Sequence, residues 1–317
     1  MGRDEESIAA PKQLRLWEEA SASGYAVAVH GGAGGRIKEL SAESRAEFER
    51  GLTLAHTAGS TVLAAGGSAV DAVCAAVEQL ENHPLFNAGR GAALTAGGCA
   101  ELDAAVMDGA SGLAGAVAAS KHAKNPVFLA RSVMERSEHL LLVDPSETLV
   151  SSWDLETVPP KYFVTEARVE QLSRIQALEV PAARHGTVGA VARDRHGNIA
   201  AATSTGGMAN QHEGRVGDSP IIGAGTYARN GLAAVSCTGE GEAFIRGVVA
   251  YDIAARMRYL GTGLADAVTS TVEIELTAKG ASGGLVAVDS DGRVVVAHNS
   301  PTMFAAFANE DGLVMLT

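Results

Sequence analysis

Two pairs of short apolar runs constrain this chain more than any other feature. Residues 187–192 and 199–204 are separated only by Asp194-Arg195-His196-Gly197-Asn198, and residues 285–289 and 294–298 are joined across Ser290-Asp291-Gly292. Links this short suit antiparallel hairpins, because a parallel pair needs a long crossover. Helical spacing runs over 247–260 and 264–275, and 313–316 reads as a last strand. In the first half, residues 25–30 read as a strand that enters Gly31-Gly32-Ala33-Gly34-Gly35 directly. Apolar spacing over 41–65 is helical, opened by Ser41 with Glu43 soon after. Gly66-Gly67 ends it, and Ser68 caps a second helix to about Glu81. A strand over 101–107 and a helix over 126–136 follow. Antiparallel pairs flanking helices predict an α+β fold with layered sheets, not the strict alternation of a parallel α/β protein. No repeat of 20 to 50 residues is visible.

Composition narrows the function classes. At 317 residues, 46% hydrophobic and 20% charged, the chain can bury a sizeable core. Thirty-seven acidic against 25 basic residues leave a net charge of -12, which repels phosphates and disfavours nucleic-acid binding. Aromatics at 4% also leave few stacking platforms for single strands. The N-terminal 22 residues are charged and lack an apolar signal core, and no apolar run reaches membrane-spanning length. Cys74, Cys99 and Cys237 form neither a disulfide framework nor a CxxC pair, so a cytoplasmic location is expected. The residues before Tyr25 exceed what the core requires and read as a flexible extension. Residues 137–184, with Pro159-Pro160, Pro181 and many charges, read as part helix and part mobile linker.

Two familiar patterns fail their context. Gly223-Ala-Gly-Thr-Tyr-Ala228 fits a dinucleotide fingerprint but lacks the βαβ setting, and Asn230-Gly231 would break a following helix. Gly280-Ala-Ser-Gly-Gly284 fits a nucleophile elbow, yet a helix precedes it and a strand follows, so Ser282 reads as a turn residue. The nine histidines show no metal-binding spacing; His185 is the one placed beside interesting chemistry. The glycine-rich stretch from His30 is either a tight turn or an anion cradle.

His185-Gly-Thr-Val-Gly189 puts a hydroxyl at the start of a strand, just after a Pro-containing segment and a glycine. Two readings fit. Thr187 is an ordinary strand-opening residue, or it is a nucleophile activated by its own α-amine after the chain is cut before it. An α-amine titrates near 7.7–8.0, close to working pH, and Gly186 leaves the scissile carbonyl open.

Eight segments then stand in a fixed order: His30-Gly-Gly-Ala-Gly34, Pro84-Leu-Phe-Asn-Ala-Gly89, Glu101-Leu-Asp-Ala104 with Met107-Asp-Gly109, His185-Gly-Thr-Val-Gly189, Gly197-Asn198, Ala202-Thr-Ser-Thr-Gly-Gly207, Gly214-Arg-Val-Gly-Asp-Ser-Pro220, and Cys237-Thr-Gly-Glu-Gly-Glu242. Together they resemble the plant-type asparaginase / isoaspartyl peptidase family of N-terminal-nucleophile hydrolases over nearly the whole chain. The resemblance implies a single αββα sandwich domain spanning 1–317, self-cleaved at Gly186–Thr187 into 1–186 and 187–317, with 137–186 a mobile linker at the end of the first piece. It implies that Thr187 is the nucleophile, that Thr205 hydrogen-bonds around it, and that Asn87 orients groups near it. Thr238 and Gly239 would form the oxyanion hole. Arg215 would grip the substrate α-carboxylate, Asp218 its α-ammonium, and Gly239 and Gly241 would offer backbone contacts. On the residues alone, Arg215 and Asp218 could equally pair with each other, and Glu242 reads as a structural partner.

The same resemblance implies no catalytic cofactor but a structural Na⁺ or K⁺ held by backbone carbonyls of Leu80, Glu81, His83, Phe86, Ala88 and Arg90. It implies hydrolysis of β-aspartyl (isoaspartyl) peptides and of the L-asparagine side-chain amide, releasing L-aspartate, by a dimer of cleaved units that binds neither nucleic acid nor membrane. The alternatives are a glycosylasparaginase, whose relatives are usually exported, and an uncleaved, inactive relative that only binds.

Overall fold

The computed structural model describes residues 13–21, 23–34, 41–178 and 186–316. Residues 1–12 and 22 of the stretch before Tyr25, Gly35, and residues 179–185 of the 137–186 segment, His185 among them, lie outside the described residues. The first half holds β1 (Arg15–Ala20), β2 (Ala26–Ala33), α1 (Ala42–Ala64), α2 (Ala69–Asn82), β3 (Leu102–Asp108), β4 (Ala114–Ser120), α3 (Pro126–Arg136), β5 (Leu141–Val143), α4 (Glu147–Ser152) and α5 (Glu166–Leu178). The second holds β6 (Val188–Arg193), β7 (Ile199–Thr205), β8 (Thr226–Ala228), β9 (Ala233–Gly239), α6 (Gly241–Gly247), α7 (Val249–Leu260), α8 (Leu264–Thr271), β10 (Gly283–Asp289), β11 (Arg293–His298), β12 (Met303–Asn309) and β13 (Gly312–Leu316).

These strands make two sheets, one ordered β13-β12-β2-β6-β7-β3-β4-β5 and the other β1-β11-β10-β9-β8. Every named pair is antiparallel except β4 with β5. Helices α1, α2 and α3 pack on the larger sheet, α7 and α8 on the smaller, and the two sheets pack on each other. The chain is therefore mixed α+β with two sheets.

Local chemistry explains the elements. Ser41 and Ser68 each accept a hydrogen bond from the backbone N–H three residues on (Ser44 and Asp71), supplying the side-chain caps expected for α1 and α2. Leu52, Ala55, Gly59 and Leu63 form the buried stripe of α1; Ala72, Val73, Ala76, Val77 and Leu80 form that of α2. A Cβ at Gly59 would stand 3.1 Å from the Ala72 carbonyl oxygen, so this glycine sets how closely the helices approach. In the β6–β7 hairpin, Asp194 Oδ1 accepts from the N–H of His196 (2.9 Å) and Asn198 (3.0 Å), and Gly197 takes φ +83.

Some elements differ from the sequence reading. Residues 15–20 are not a loose extension: they pair with β11, and the Trp17 ring stacks on His298 at 5.6 Å. Strands β4, β5, β8, β9 and β12 also escaped it. They are short or rich in Ala, Gly and Ser, so they carry little β signature of their own and form because a neighbouring strand and a packed face hold them. The stretch read as part helix and part linker carries β5, α4 and α5, and its Phe163 and Leu172 are buried against Ala92, Leu94 and Leu102. Among the described residues no helix is long and apolar enough to cross a membrane.

Candidate active site

One end of the two sheets gathers the motif residues. Antiparallel pairing places the end of β2, the start of β6, the end of β7 and the start of β3 side by side: His30 faces Gly189, Val188 faces Ser204, and Asp103 faces Thr205. In the other sheet β9 ends there at Thr238 and Gly239, opposite Gly284 and Gly283. The sheets are joined at this point by the Ala33 N–H, which donates to Thr238 Oγ1 at 3.1 Å.

Thr187 immediately precedes β6 and is 7% exposed. Its Oγ1 donates to Thr205 Oγ1 at 3.1 Å, and the Gly207 N–H donates to the same Thr205 oxygen at 3.1 Å. Thr205 therefore accepts from both sides. Asn87 holds the loop beyond Thr205: its Nδ2 donates to the Gly207 carbonyl at 2.7 Å, its Oδ1 accepts from the Ala93 N–H at 2.6 Å, and its carbonyl accepts from the Gly206 N–H at 3.1 Å.

The glycine-rich stretch serves close approach. Gly32, at φ +117, lies so near Gly186 that a Cβ on it would stand 2.6 Å from the Gly186 Cα and 3.0 Å from its carbonyl carbon. A Cβ on Gly186 would in turn overlap the Gly32 backbone. Both glycines line a cavity of about 150 Å³ together with Asn87 and Arg168. Burial lowers Arg168 to about 10. His30, fully buried, places Nε2 2.9 Å from Ser236 Oγ. Burial pushes its imidazole down to about 3, partly opposed by a backbone contact with Thr187, although Nδ1 makes no hydrogen bond of normal geometry. This histidine is neutral at any working pH.

Arg215 and Asp218 stand together but do not hydrogen-bond to each other. The carboxylate that meets Arg215 is Glu242: Nε donates to Oε1 at 2.8 Å and Nη2 to Oε2 at 3.1 Å, while Nη1 donates to Gln211 Oε1 at 3.1 Å. Guanidinium has five N–H groups, so one on each terminal nitrogen remains. Glu242 is held below the ordinary carboxylate range, chiefly by this bond. Asp218 is buried, its Oδ2 has no partner, and desolvation raises it to about 7 despite its own backbone N–H and the Arg215 charge. A Cβ at Gly241 would sit 2.8 Å from Asp218 Oδ1 and 3.1 Å from Arg215 Nη2. The absent side chain leaves space between a cation with spare donors and a carboxylate with a spare acceptor. Such a pair can take the two charges of an amino-acid head.

The loop after α2 folds back on itself. The Glu81 carbonyl accepts from the Arg90 N–H at 2.7 Å, the Leu80 carbonyl from His83 at 3.3 Å and the His83 carbonyl from Phe86 at 3.3 Å. No hydrogen bond to the carbonyls of Phe86, Ala88 or Arg90 is present among the described residues, although Phe86 and Ala88 are buried. Buried oxygens in want of donors fit a hard monovalent cation. The Glu81 side chain, raised to about 8 by burial, accepts from Ser204 Oγ (2.6 Å) and the Val127 N–H (3.0 Å), tying this loop to the strand that ends at Thr205. Among the described residues no cluster of three or more His, Cys, Asp or Glu side chains could hold a metal.

Gln211 and the paired grip of Glu242 were not visible in the sequence. Glu242 stands in the Thr238-Gly-Glu-Gly-Glu242 segment, but only the fold turns it toward Arg215. Ser282 immediately precedes β10 and follows a short helical stretch at Thr277–Lys279, so it has a helix before it and a strand after it, and Gly223 to Ala228 forms no βαβ unit, as their contexts indicated.

Residues 23–316 match the family model described as asparaginase. The chain is 50% identical over 294 residues to an isoaspartyl peptidase of Salmonella typhimurium, covering 89% of this chain and 94% of that protein. It is 46% identical over 294 residues to an isoaspartyl peptidase of Escherichia coli, covering 89% and 92%. It is 40% identical over 321 residues to a probable isoaspartyl peptidase/L-asparaginase of Arabidopsis thaliana, covering 92% and 98%.

Proposed function

The chain belongs to the asparaginase family, and on that premise we propose that it is a self-cleaving threonine hydrolase acting on β-aspartyl peptides and on the side-chain amide of L-asparagine. The observation that carries this reading is the Thr187 hydroxyl bonded to Thr205, one peptide bond from a glycine packed backbone to backbone against Gly32. The αββα arrangement of the N-terminal-nucleophile type is the finer statement of the fold that the family implies.

Self-cleavage precedes catalysis. Thr187 Oγ1 attacks the Gly186 carbonyl carbon, the C–N bond breaks as nitrogen takes a proton, and water then opens the ester. The products are a Gly186 carboxylate and a Thr187 hydroxyl beside its own α-amine, in the pieces 1–186 and 187–317. That amine, with an intrinsic pKa of about 7.7–8.0, is the base the hydroxyl needs.

Substrate binds by its amino-acid head. The α-carboxylate takes the two spare N–H groups of Arg215 while Glu242 and Gln211 fix the guanidinium from its other sides. The α-ammonium meets Asp218, and the Gly241 backbone borders the space between. A head engaged at both charges leaves only the side-chain carbonyl to be attacked, which selects β-linked over ordinary α-linked aspartyl groups. The α-amine takes the Thr187 hydroxyl proton as Oγ1 adds to that carbonyl. Negative charge develops on the carbonyl oxygen facing Thr238 and Gly239. Because Thr238 Oγ1 already accepts from Ala33, its proton is available to the oxyanion. The leaving amine or ammonia takes the proton, an aspartyl-threonine ester remains, and water releases L-aspartate.

No catalytic cofactor enters this chemistry. We assign Leu80, Glu81, His83, Phe86, Ala88 and Arg90 as the carbonyl holders of a structural Na⁺ or K⁺, which would stiffen the loop that carries Asn87. A dimer of cleaved units is part of the same proposal. The test is turnover of a β-aspartyl dipeptide, L-asparagine and glycosyl-asparagine by the purified protein and by Thr187→Ala. Turnover of the first two, lost in Thr187→Ala, is expected. Turnover of glycosyl-asparagine alone, or turnover that survives the substitution, would overturn the reading.

A further inference from the structure

Two buried carboxylates outside the chemistry above stand two residues apart at the start of β3. Glu101 Oε2 accepts from the Gly214 N–H at 2.7 Å, and Asp103 Oδ2 accepts from the Gly217 N–H at 3.2 Å. Arg215 lies between those two anchor points. The period of a strand puts residues 101 and 103 on the same side, so both carboxylates reach one loop. Each has a second partner that fixes it. Lys121 Nζ stands 3.4 Å from Glu101 Oε1, leaving Oε2 for the loop. The Ala119 N–H donates to Asp103 Oδ1 at 2.9 Å, from an irregular stretch of the β3–β4 ladder where Ala119 takes φ +52. Glu101 is 6% exposed and Asp103 2%; the Asp103 grip on Gly217 is buried, while Glu101 reaches from the interior to the exposed Gly214.

The other face of the relationship is register. Asp103 is the direct cross-strand partner of Thr205, which accepts the Thr187 hydroxyl. One strand is thus bolted on one flank to the partner of the nucleophile and on the other to both ends of the loop that carries Arg215. We propose that Glu101 and Asp103 are positioning residues that set the span between the Thr187 hydroxyl and the Arg215 guanidinium, and so restrict the enzyme to acyl groups one methylene long. A γ-glutamyl substrate places its scissile carbonyl one carbon further from the α-carboxylate, a step on the order of 1 Å that a fixed span does not absorb. This rests on the reading of Arg215 as the α-carboxylate grip.

The experiment uses fully self-cleaved Asp103→Asn, Glu101→Gln and Arg215→Lys, with kcat and KM measured on β-aspartyl-leucine and γ-glutamyl-leucine. An amide offers one acceptor where the carboxylate offered two, so Asp103→Asn cannot hold both the Ala119 and Gly217 N–H groups, and Glu101→Gln cannot hold both the Gly214 N–H and Lys121. KM for the β-aspartyl substrate is expected to rise about tenfold with kcat changed less than about threefold. The preference for β-aspartyl over γ-glutamyl is expected to shrink by about the same factor. Equal losses on both substrates, or an unmoved KM in both clamp variants, would overturn the clamp, because a purely structural defect does not distinguish substrates by length. Glu101→Gln keeps the Asp103 centre intact, so the test survives if Asp103→Asn folds poorly. If Arg215→Lys leaves KM unmoved, the assignment of Arg215 fails first and the clamp with it.

Discussion

Replacing Gly32 with alanine perturbs the scissile bond without altering either residue that forms it. The new Cβ would lie 2.6 Å from the Gly186 Cα and 3.0 Å from its carbonyl carbon and oxygen. Ordinary carbon–carbon contact is about 3.5–4.0 Å, so Gly186 and the β2 backbone must part by about 1 Å. The φ of +117 adds strain of about 1–3 kcal/mol for an L side chain. Displacing an attacked carbonyl by about 1 Å costs a reaction about 100-fold, and self-cleavage is expected to slow by that factor. Overpacking of this size destabilises a folded chain by about 1–3 kcal/mol, so the variant should still melt cooperatively. The assay is a pulse of cell-free synthesis followed by a gel time course of the intact chain against its two pieces. A cooperatively folded Gly32→Ala that cleaves at the parental rate would refute the idea that the glycine-to-glycine contact aligns Gly186.

Three further outcomes follow from the charges. Glu242→Gln removes the charge and one of the two bonds that orient Arg215 against Glu242, leaving Gln211 as its other anchor, so KM for β-aspartyl dipeptides should rise about tenfold with kcat nearly unchanged; a fall in kcat alone would contradict its orienting role. Asp218, raised to about 7 by burial, carries its charge only above that pH, and the Thr187 amine is a free base only above about 8. Log kcat/KM should therefore fall with a slope approaching two on the acid side, reduced to one in Asp218→Asn; a slope of one in the parent enzyme would show that Asp218 does not titrate there. The stability that the buried carboxyls contribute should fall from neutral to alkaline pH. Glu81, Asp218 and Asp103, with folded values of about 8, 7 and 6, lie above their unfolded values near 4, so the stability they contribute is full below about pH 4 and is lost progressively from there up to those folded values. His30 and His56, lowered to about 3 and 4 by burial, contribute stability that is lost as pH falls below their unfolded value near 6.5. Calorimetry across pH 4 to 9 reads this directly, and a melting temperature still climbing at pH 9 would contradict it.

What the sequence conveyed was local and chemical. Ser41 and Ser68 announced their helices because a cap is a one-residue device, and the hairpin turns at Asp194 and Ser290 announced theirs because turn residues act within the turn. β9 and β12 gave no such signal: Ala-Ala-Val-Ser-Cys and Phe-Ala-Ala-Phe acquire their strand character from the neighbours that flank them. The candidate residues were legible as types, since an Arg three positions from an Asp suits a zwitterion. Their partners were not. Glu242 reaches Arg215 from 27 residues away, and Asp103 reaches Gly217 across 114, so only the fold reveals that a carboxylate orients the guanidinium and another holds its loop. The Gly32 contact with Gly186 belongs to the same class, because a glycine's reason for being glycine is whatever backbone lies against it.

The most direct test of Thr187 as an N-terminal nucleophile is the intact mass of the purified protein with sequencing of each N-terminus. Two pieces of about 19 and 13 kDa, the 32.4 kDa chain shared in proportion to 186 and 131 residues, with the smaller beginning at Thr187, are expected. A single 32.4 kDa chain that nevertheless hydrolyses β-aspartyl peptides would contradict the mechanism, because no α-amine would then stand beside the Thr187 hydroxyl.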